Sequence, residues 1–309
     1  MYYSPSFNLV SLVAVLGELM GVLIWSTALY HTSWKKGIWK RLFIDIATLE
    51  DANHLNTSKS LETNIFKSAT LQLILTILMI MGLFSYEPLV QSNQKVFLYT
   101  TTYVYFFLHF LLSLIIGNVA VILKLKFEDI NQLLSTYEYE NVTALIKGTK
   151  KVKDLYASMA EIVETFNRLF GPQLFLMGLH CSSQILQWSV TLVYNMFSDD
   201  KDDDYDRLVV GIIYIIMMLI WLGITMFCCD LAVVESEEIV TICYRIQMAH
   251  PVFSEPYQNI KNLLYLVNNS KIRFTAMDYY EISRSTMFDL IGTTATYFVV
   301  LIQFYDGKK

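Results

Sequence analysis

Six stretches of the chain are apolar for long enough to cross a bilayer, and the connections between them alternate between short and long. The runs cover residues 7–30, 66–86, 97–123, 173–197, 208–230 and 286–304. One helical crossing takes roughly 20 predominantly apolar residues, and each run comes close to that length or exceeds it. The pattern predicts an all-α fold, a polytopic transmembrane helical bundle in which residues 1–309 form a single membrane domain.

Two of the long connections carry a helical period of their own. Between residues 150 and 170 the apolar positions Val152, Leu155, Met159, Ile162, Val163, Phe166, Leu169 and Phe170 recur largely at spacings of three and four, which draws one stripe on a helix. Gly171-Pro172 then marks a kink where this stripe meets the next apolar run. Residues 231–248 continue the preceding run, with Glu235, Glu237 and Glu238 expected in solvent and Ile239, Ile242 and Ile246 on another face, until Pro251 closes the helix. A further amphipathic stretch carries Ile260, Leu263, Leu264 and Val267. Such stripes do not stay in water. The helical segments 124–172 and 231–285 are therefore expected to pack together below the membrane, within one chain or between chains.

Composition agrees with a membrane protein: 54% of residues are hydrophobic and only 17% charged, against about 25% charged in a typical soluble domain. The net charge of −5 says less than its distribution. Lys and Arg concentrate in the connections 31–65, 124–172 and 231–285, whereas the other side holds only Lys95, Lys201, Arg207, Lys308 and Lys309. By the positive-inside rule the long connections are cytoplasmic and both termini of this chain face outward. The first run is too long for a signal h-region and has no basic segment before it.

Orientation fixes several further expectations. The sequons at Asn56, Asn141 and Asn268 fall on the cytoplasmic side and carry no glycan. Cys181, Cys228, Cys229 and Cys243 lie outside any external segment, so they are buried thiols rather than a disulfide framework. The acidic connection "SDDKDDDYD", residues 198–206, is external. It is either a solvated turn or an anionic rim that concentrates cations at a pore mouth.

The chain shows no catalytic constellation. It has no Gly-rich phosphate loop, no GxSxG and no HExxH. No enzyme activity, cofactor, metal or nucleic acid is expected. His109 and His180 lie within apolar runs, where an ionisable group is costly and turns toward the interior. With Tyr103, Tyr105, Gln184 and Trp188 they form candidate walls of a small-ligand pocket, aromatic with few polar groups. The alternative is that each is an ordinary packed polar group.

The last run offers a second candidate surface. On a helix, Gly292, Thr296, Val299 or Val300, and Gln303 share one face, while Phe298, Leu301 and Ile302 lie opposite. A small and polar stripe on an apolar helix is either a close-packing seam through Gly292 and Thr296 or the water-facing wall of an ion path.

The tail "RFTAMDYYEISRSTMFDLIGTTATYFVVLIQF", residues 273–304, resembles the end of insect gustatory receptors. That family's signature is Thr-Tyr, five hydrophobic residues and Gln-Phe, met here by Thr296, Tyr297, residues 298–302, Gln303 and Phe304. The segment "FNRLFGPQLF", residues 166–175, is similar to the family's approach to a middle span, and Met277-Asp278 stands where a glycine is expected nearby. The resemblance implies a seven-span, ligand-gated cation channel assembled as a homo- or hetero-tetramer in the plasma membrane, in contact with membrane lipids and multi-pass, with an extracellular C-terminus. The last span would line the pore. Gln303 and Phe304 would stand at the gate, with Thr296, Tyr297, Gly292 and Val300 along the same helix. The ligand would be a small-molecule tastant. Sugar-sensing members carry glutamate after Thr-Tyr, and Phe298 here disfavours a sugar. Six runs rather than seven imply that the family's first span is missing from this sequence. A non-conducting or regulatory subunit, a G-protein-coupled receptor and a transporter are the competing readings. A G-protein-coupled receptor would need the opposite orientation, and a transporter would need paired interrupted helices.

Overall fold

Long helices dominate because the apolar runs continue into amphipathic stripes with no strong break between them. The computed structural model describes residues 35–51, 93–139, 141–197 and 205–306, with short helical stretches inside 19–30 and 67–81. Among the described residues six continuous helices follow in order: α1 (Lys36–Asp51), α2 (Asn93–Glu138), α3 (Val142–Phe197), α4 (Tyr205–Met248), α5 (Glu255–Asn269) and α6 (Arg284–Asp306). A two-strand hairpin, β1 (Thr275–Ala276) and β2 (Tyr280–Glu281), stands between α5 and α6. The run at 97–123 is the first part of α2, 173–197 the last part of α3, 208–230 the first part of α4, and 286–304 lies within α6. Most of the run at 7–30 and much of 66–86 lie outside the described residues, as does the acidic connection as far as Asp204.

The amphipathic stripe predicted at 150–170 is the centre of the interior. Val152, Met159, Phe166, Leu169 and Phe170 are fully buried, with Leu155, Ile162 and Val163 close behind. They meet Ile239, Ile242 and Ile246 of α4 and Ile260, Leu263, Leu264 and Val267 of α5 in one continuous core. The stripes therefore pack within one chain. The helix α3 runs unbroken through Gly171 and Pro172. A proline that removes one backbone donor there does not end it.

α2 and α4 lie against each other along much of their length. Phe110 meets Trp221 edge to face with centroids 4.4 Å apart. Lower down, Asn131 Nδ2 donates to the Glu235 carbonyl at 2.8 Å and to Glu235 Oε1 at 3.0 Å. Glu235 is thus half-buried and engaged, not solvent-facing as its sequence position suggested. Glu237 and Glu238 do face outward. At the far end both Arg245 Nε and Nη2 donate to the Glu138 carboxylate, and that bond is the main cause that raises the Arg245 guanidinium above its ordinary pKa.

The helix ends have local causes. Asn141 caps α3 by accepting from Ala144 N at 2.9 Å. Ser254 caps α5, whose first turn also holds Pro256. α1, which the apolar pattern did not announce, is held to α3 by Leu42, fully buried, and by Trp39, whose ring meets Phe170 edge to face at 5.2 Å.

The hairpin is clamped to α3. Asn167 Nδ2 donates to the Arg273 carbonyl at 2.7 Å, and its Oδ1 accepts from Thr275 N at 3.1 Å. Phe274, almost wholly buried, meets Phe166 edge to face at 4.9 Å. Gly171 allows the hairpin backbone to approach: a β-carbon there would stand 3.1 Å from Met277 N. The turn is closed by Tyr279 N donating to the Ala276 carbonyl at 3.1 Å, with Met277 and Asp278 both left-handed at φ 54° and 59°.

Candidate functional site

α6 begins firmly seated. Ser283 caps it, accepting from Thr286 N through its hydroxyl, and Arg284 pairs with Asp230 of α4 while lying 5.1 Å from the Phe227 ring centroid. Met287 fills the notch left by Gly223 on α4. Beyond this start, one side of the helix packs on α3 and α4, with Leu290, Thr294, Phe298 and Ile302 half-buried.

The other side is uncovered. Gly292, Thr296, Val299, Val300 and Gln303 are all exposed, and a β-carbon at Gly292 would meet nothing within 4 Å. The small residues therefore do not form a packing seam inside this chain. Thr296 turns its hydroxyl back to the Gly292 carbonyl at 2.9 Å. Tyr297 is exposed as well. The side chain of Phe304 lies outside the described residues.

Of the sequence-predicted ligand residues, His109 of α2 and His180 of α3 come together. Their rings lie 5.9 Å apart, 71 residues distant along the chain, and both are buried. Both His109 ring nitrogens, Ser113 Oγ and Trp221 Nε1 are buried without a hydrogen-bond partner. Thr225 bridges this region, donating to the Trp221 carbonyl at 3.0 Å and lying 3.5 Å from that of Ser113. Buried polar atoms without partners cost free energy, and several meet at this interface. Gln184 is buried one turn beyond His180. Trp188 lies elsewhere, flat against Gly211. Tyr103 and Tyr105 belong to α2, but their side chains are outside the described residues.

A cavity elsewhere was not foreseen. It has a volume of about 450 Å³ and lies between α3, the hairpin and α6, with Met226 of α4 at its edge. Phe175, Tyr280 and Tyr297 supply rings, and Asp289 a carboxylate. Tyr280 enters because Gly178 makes room: a β-carbon at Gly178 would stand 2.5 Å from the Tyr280 hydroxyl. That hydroxyl donates to the Leu174 carbonyl at 3.3 Å. Burial, and then the neighbouring Cys181, push the Tyr280 phenol up to about 12, so it remains a neutral donor at physiological pH. Asp289 carried a signal the sequence reading passed over: an acid inside an apolar run marks a functional position by default.

A model of the 7tm chemosensory receptor family matches residues 1–306. A search of curated protein sequences finds no match. Among solved structures, the chain is similar to the insect olfactory receptor OR5 from Machilis hrabei in complex with eugenol. The TM-score is 0.62 at 10% identity, covering 98% of this chain and 83% of that one. A second structure of the same receptor gives a TM-score of 0.53 at 9% identity, covering 96% of this chain and 86% of that one. At such identities the likeness is one of fold.

Proposed function

The chain belongs to the 7tm chemosensory receptor family, and from that premise we propose that it is a taste receptor: a subunit of a ligand-gated cation channel opened by a small-molecule tastant other than a sugar. In this reading it sits in the plasma membrane with its C-terminus outside, in a homo- or hetero-tetramer. The last helix lines the pore. Gln303 and Phe304 form the gate, with Thr296, Tyr297, Gly292 and Val300 below them. Tyr103, Tyr105, His109, His180 and Gln184 are the proposed ligand-facing residues; Trp188, which the sequence grouped with them, packs against Gly211 instead.

One observation carries the reading. The face of α6 that holds Gly292, Thr296, Val300 and Gln303 is open, while the opposite face is packed on α3 and α4. Small and polar residues on a face that nothing in this chain covers suit a shared pore, which supplies water to them. The apposed His109 and His180, with unpartnered polar atoms around them, support a ligand pocket of few polar groups.

The test is to record tastant-evoked current in cells expressing this chain, alone and with co-receptors. Replacing both Gln303 and Phe304 with alanine changes gating or rectification if they form the gate. Unaltered current in that variant would remove them from the gate.

A further inference from the structure

The cavity between α3, the hairpin and α6 is rich in hydrogen-bond acceptors. Five of its hydroxyls have already spent their single proton on backbone carbonyls. Ser182 donates to Gly178 at 2.9 Å, Ser183 to His180 at 2.9 Å, Thr286 to Glu281 at 2.7 Å and Thr294 to Leu290 at 2.8 Å. Tyr280 donates to Leu174. What these groups present to the cavity is lone pairs.

The remaining wall sharpens the preference. Asp289 adds a carboxylate, and it forms no ion pair among the described residues; the nearby Arg284 is committed to Asp230. Phe175, Tyr280 and Tyr297 add aromatic surface, whose faces attract cations. The rest of the lining is mostly aliphatic, from Leu179, Leu186, Met226 and Leu290. The Thr293 and Tyr297 hydroxyls can still donate, but one negative charge, the committed acceptors, the aromatic faces and an oily floor together select against anions. They fit one class.

We propose that this cavity is a binding site for lipophilic organic cations, amines or quaternary ammonium groups carrying apolar substituents, with Asp289 as the counter-ion. The site is separate from the His109–His180 interface. It touches both α3 and the pore-side helix α6, so an occupant bears on their relative position. It does not depend on the chain conducting ions, and binding alone tests it.

The experiment uses the full chain purified into nanodiscs and two probes of the same shape: phenyltrimethylammonium and its neutral isostere tert-butylbenzene. Calorimetric titrations are corrected with empty nanodiscs. The wild-type chain is expected to bind the cation about tenfold more tightly than the isostere, and Asp289→Asn to abolish that preference. Ser183→Phe, which fills the cavity from α3, is expected to weaken both probes. Equal affinity of the wild type for the two probes overturns the proposal, as does an Asp289→Asn chain that keeps the preference. Should Asp289→Asn fail to fold, undiminished cation binding by Ser183→Phe overturns it equally.

Discussion

The Tyr280 hydroxyl rests against the bare α-carbon of Gly178, so that the hairpin and α3 meet where only a hydrogen fits. Any side chain at Gly178 pushes the hydroxyl away from the Leu174 carbonyl it bonds. Gly178→Ala is expected to lower stability by about 1–3 kcal/mol, the usual cost of overpacking. The second substitution Tyr280→Phe removes the clashing oxygen, and the double variant should recover part of that loss. Thermal unfolding of the four chains in detergent measures the coupling. Strict additivity would show that the contact does not hold.

Asn167 does for the hairpin what a third strand would do, offering one donor and one acceptor to its backbone. Asn167→Leu leaves Thr275 N and the Arg273 carbonyl without these partners and should cost about 1 kcal/mol or more. Asn167→Asp keeps the acceptor for Thr275 N but sets a carboxylate against the Arg273 carbonyl, so it should recover little. Hydrogen exchange of the Thr275 amide reads the effect directly: faster in both variants, fastest in Asn167→Leu.

Met277 and Asp278 are left-handed in succession. For an ordinary side chain that conformation costs about 1–2 kcal/mol, and Asp tolerates it better than Met. Met277→Gly should therefore stabilise the chain, by up to about 1 kcal/mol after glycine's own entropy cost. Asp278→Gly should gain less. A fall in the unfolding midpoint for Met277→Gly would contradict the strain. This turn is where the family resemblance leads one to expect a glycine, and the geometry supplies the reason for it.

What the sequence could and could not show follows from the range of each signal. The stripe from Val152 to Phe170 was legible because a helix repeats its buried face every three or four residues. Its partners Ile242 and Leu263 were legible for the same reason. The hairpin was not: strands of two residues have no period, and Met277-Asp278 lacks the Gly or Asn that would announce a left-handed turn. α1 is short, and only Leu42 and Ile46 stand wholly inside. His109 and His180 were each visible as costly intramembrane groups, but their apposition depends on how α2 and α3 cross, which no local pattern encodes. The cavity is built from three separated segments, so only Asp289 could have pointed to it.

Asn141 provides a test of orientation. Its side chain caps α3, and it sits at the turn between α2 and α3, on the side that the Lys and Arg distribution places in the cytoplasm. A glycan is therefore not expected there. Glycosidase treatment of chain expressed in insect cells should leave its electrophoretic mobility unchanged. A shift that disappears in Asn141→Gln would place this turn outside and invert every span.

The last helix makes a prediction about neighbouring residues. Thr296 faces away from the rest of the chain, whereas Thr294 lines the cavity on the packed side. If the outer face of α6 is the pore wall, Thr296→Cys and Val300→Cys are expected to react with a charged methanethiosulfonate added during channel opening, and current should fall as they do. Thr294→Cys should react slowly and leave current largely intact. Of the native thiols, Cys181, Cys229 and Cys243 are buried while Cys228 is half-buried, and burial pushes the Cys243 thiol up to about 12, which leaves almost no thiolate there to react; Cys228 is the one whose background must be subtracted. The parent chain treated alone serves as the blank. Equal loss of current at Thr294 and Thr296 would mean that α6 presents no distinct wall to the ion path. Loss at Thr294 alone would mean that its packed side faces the pore.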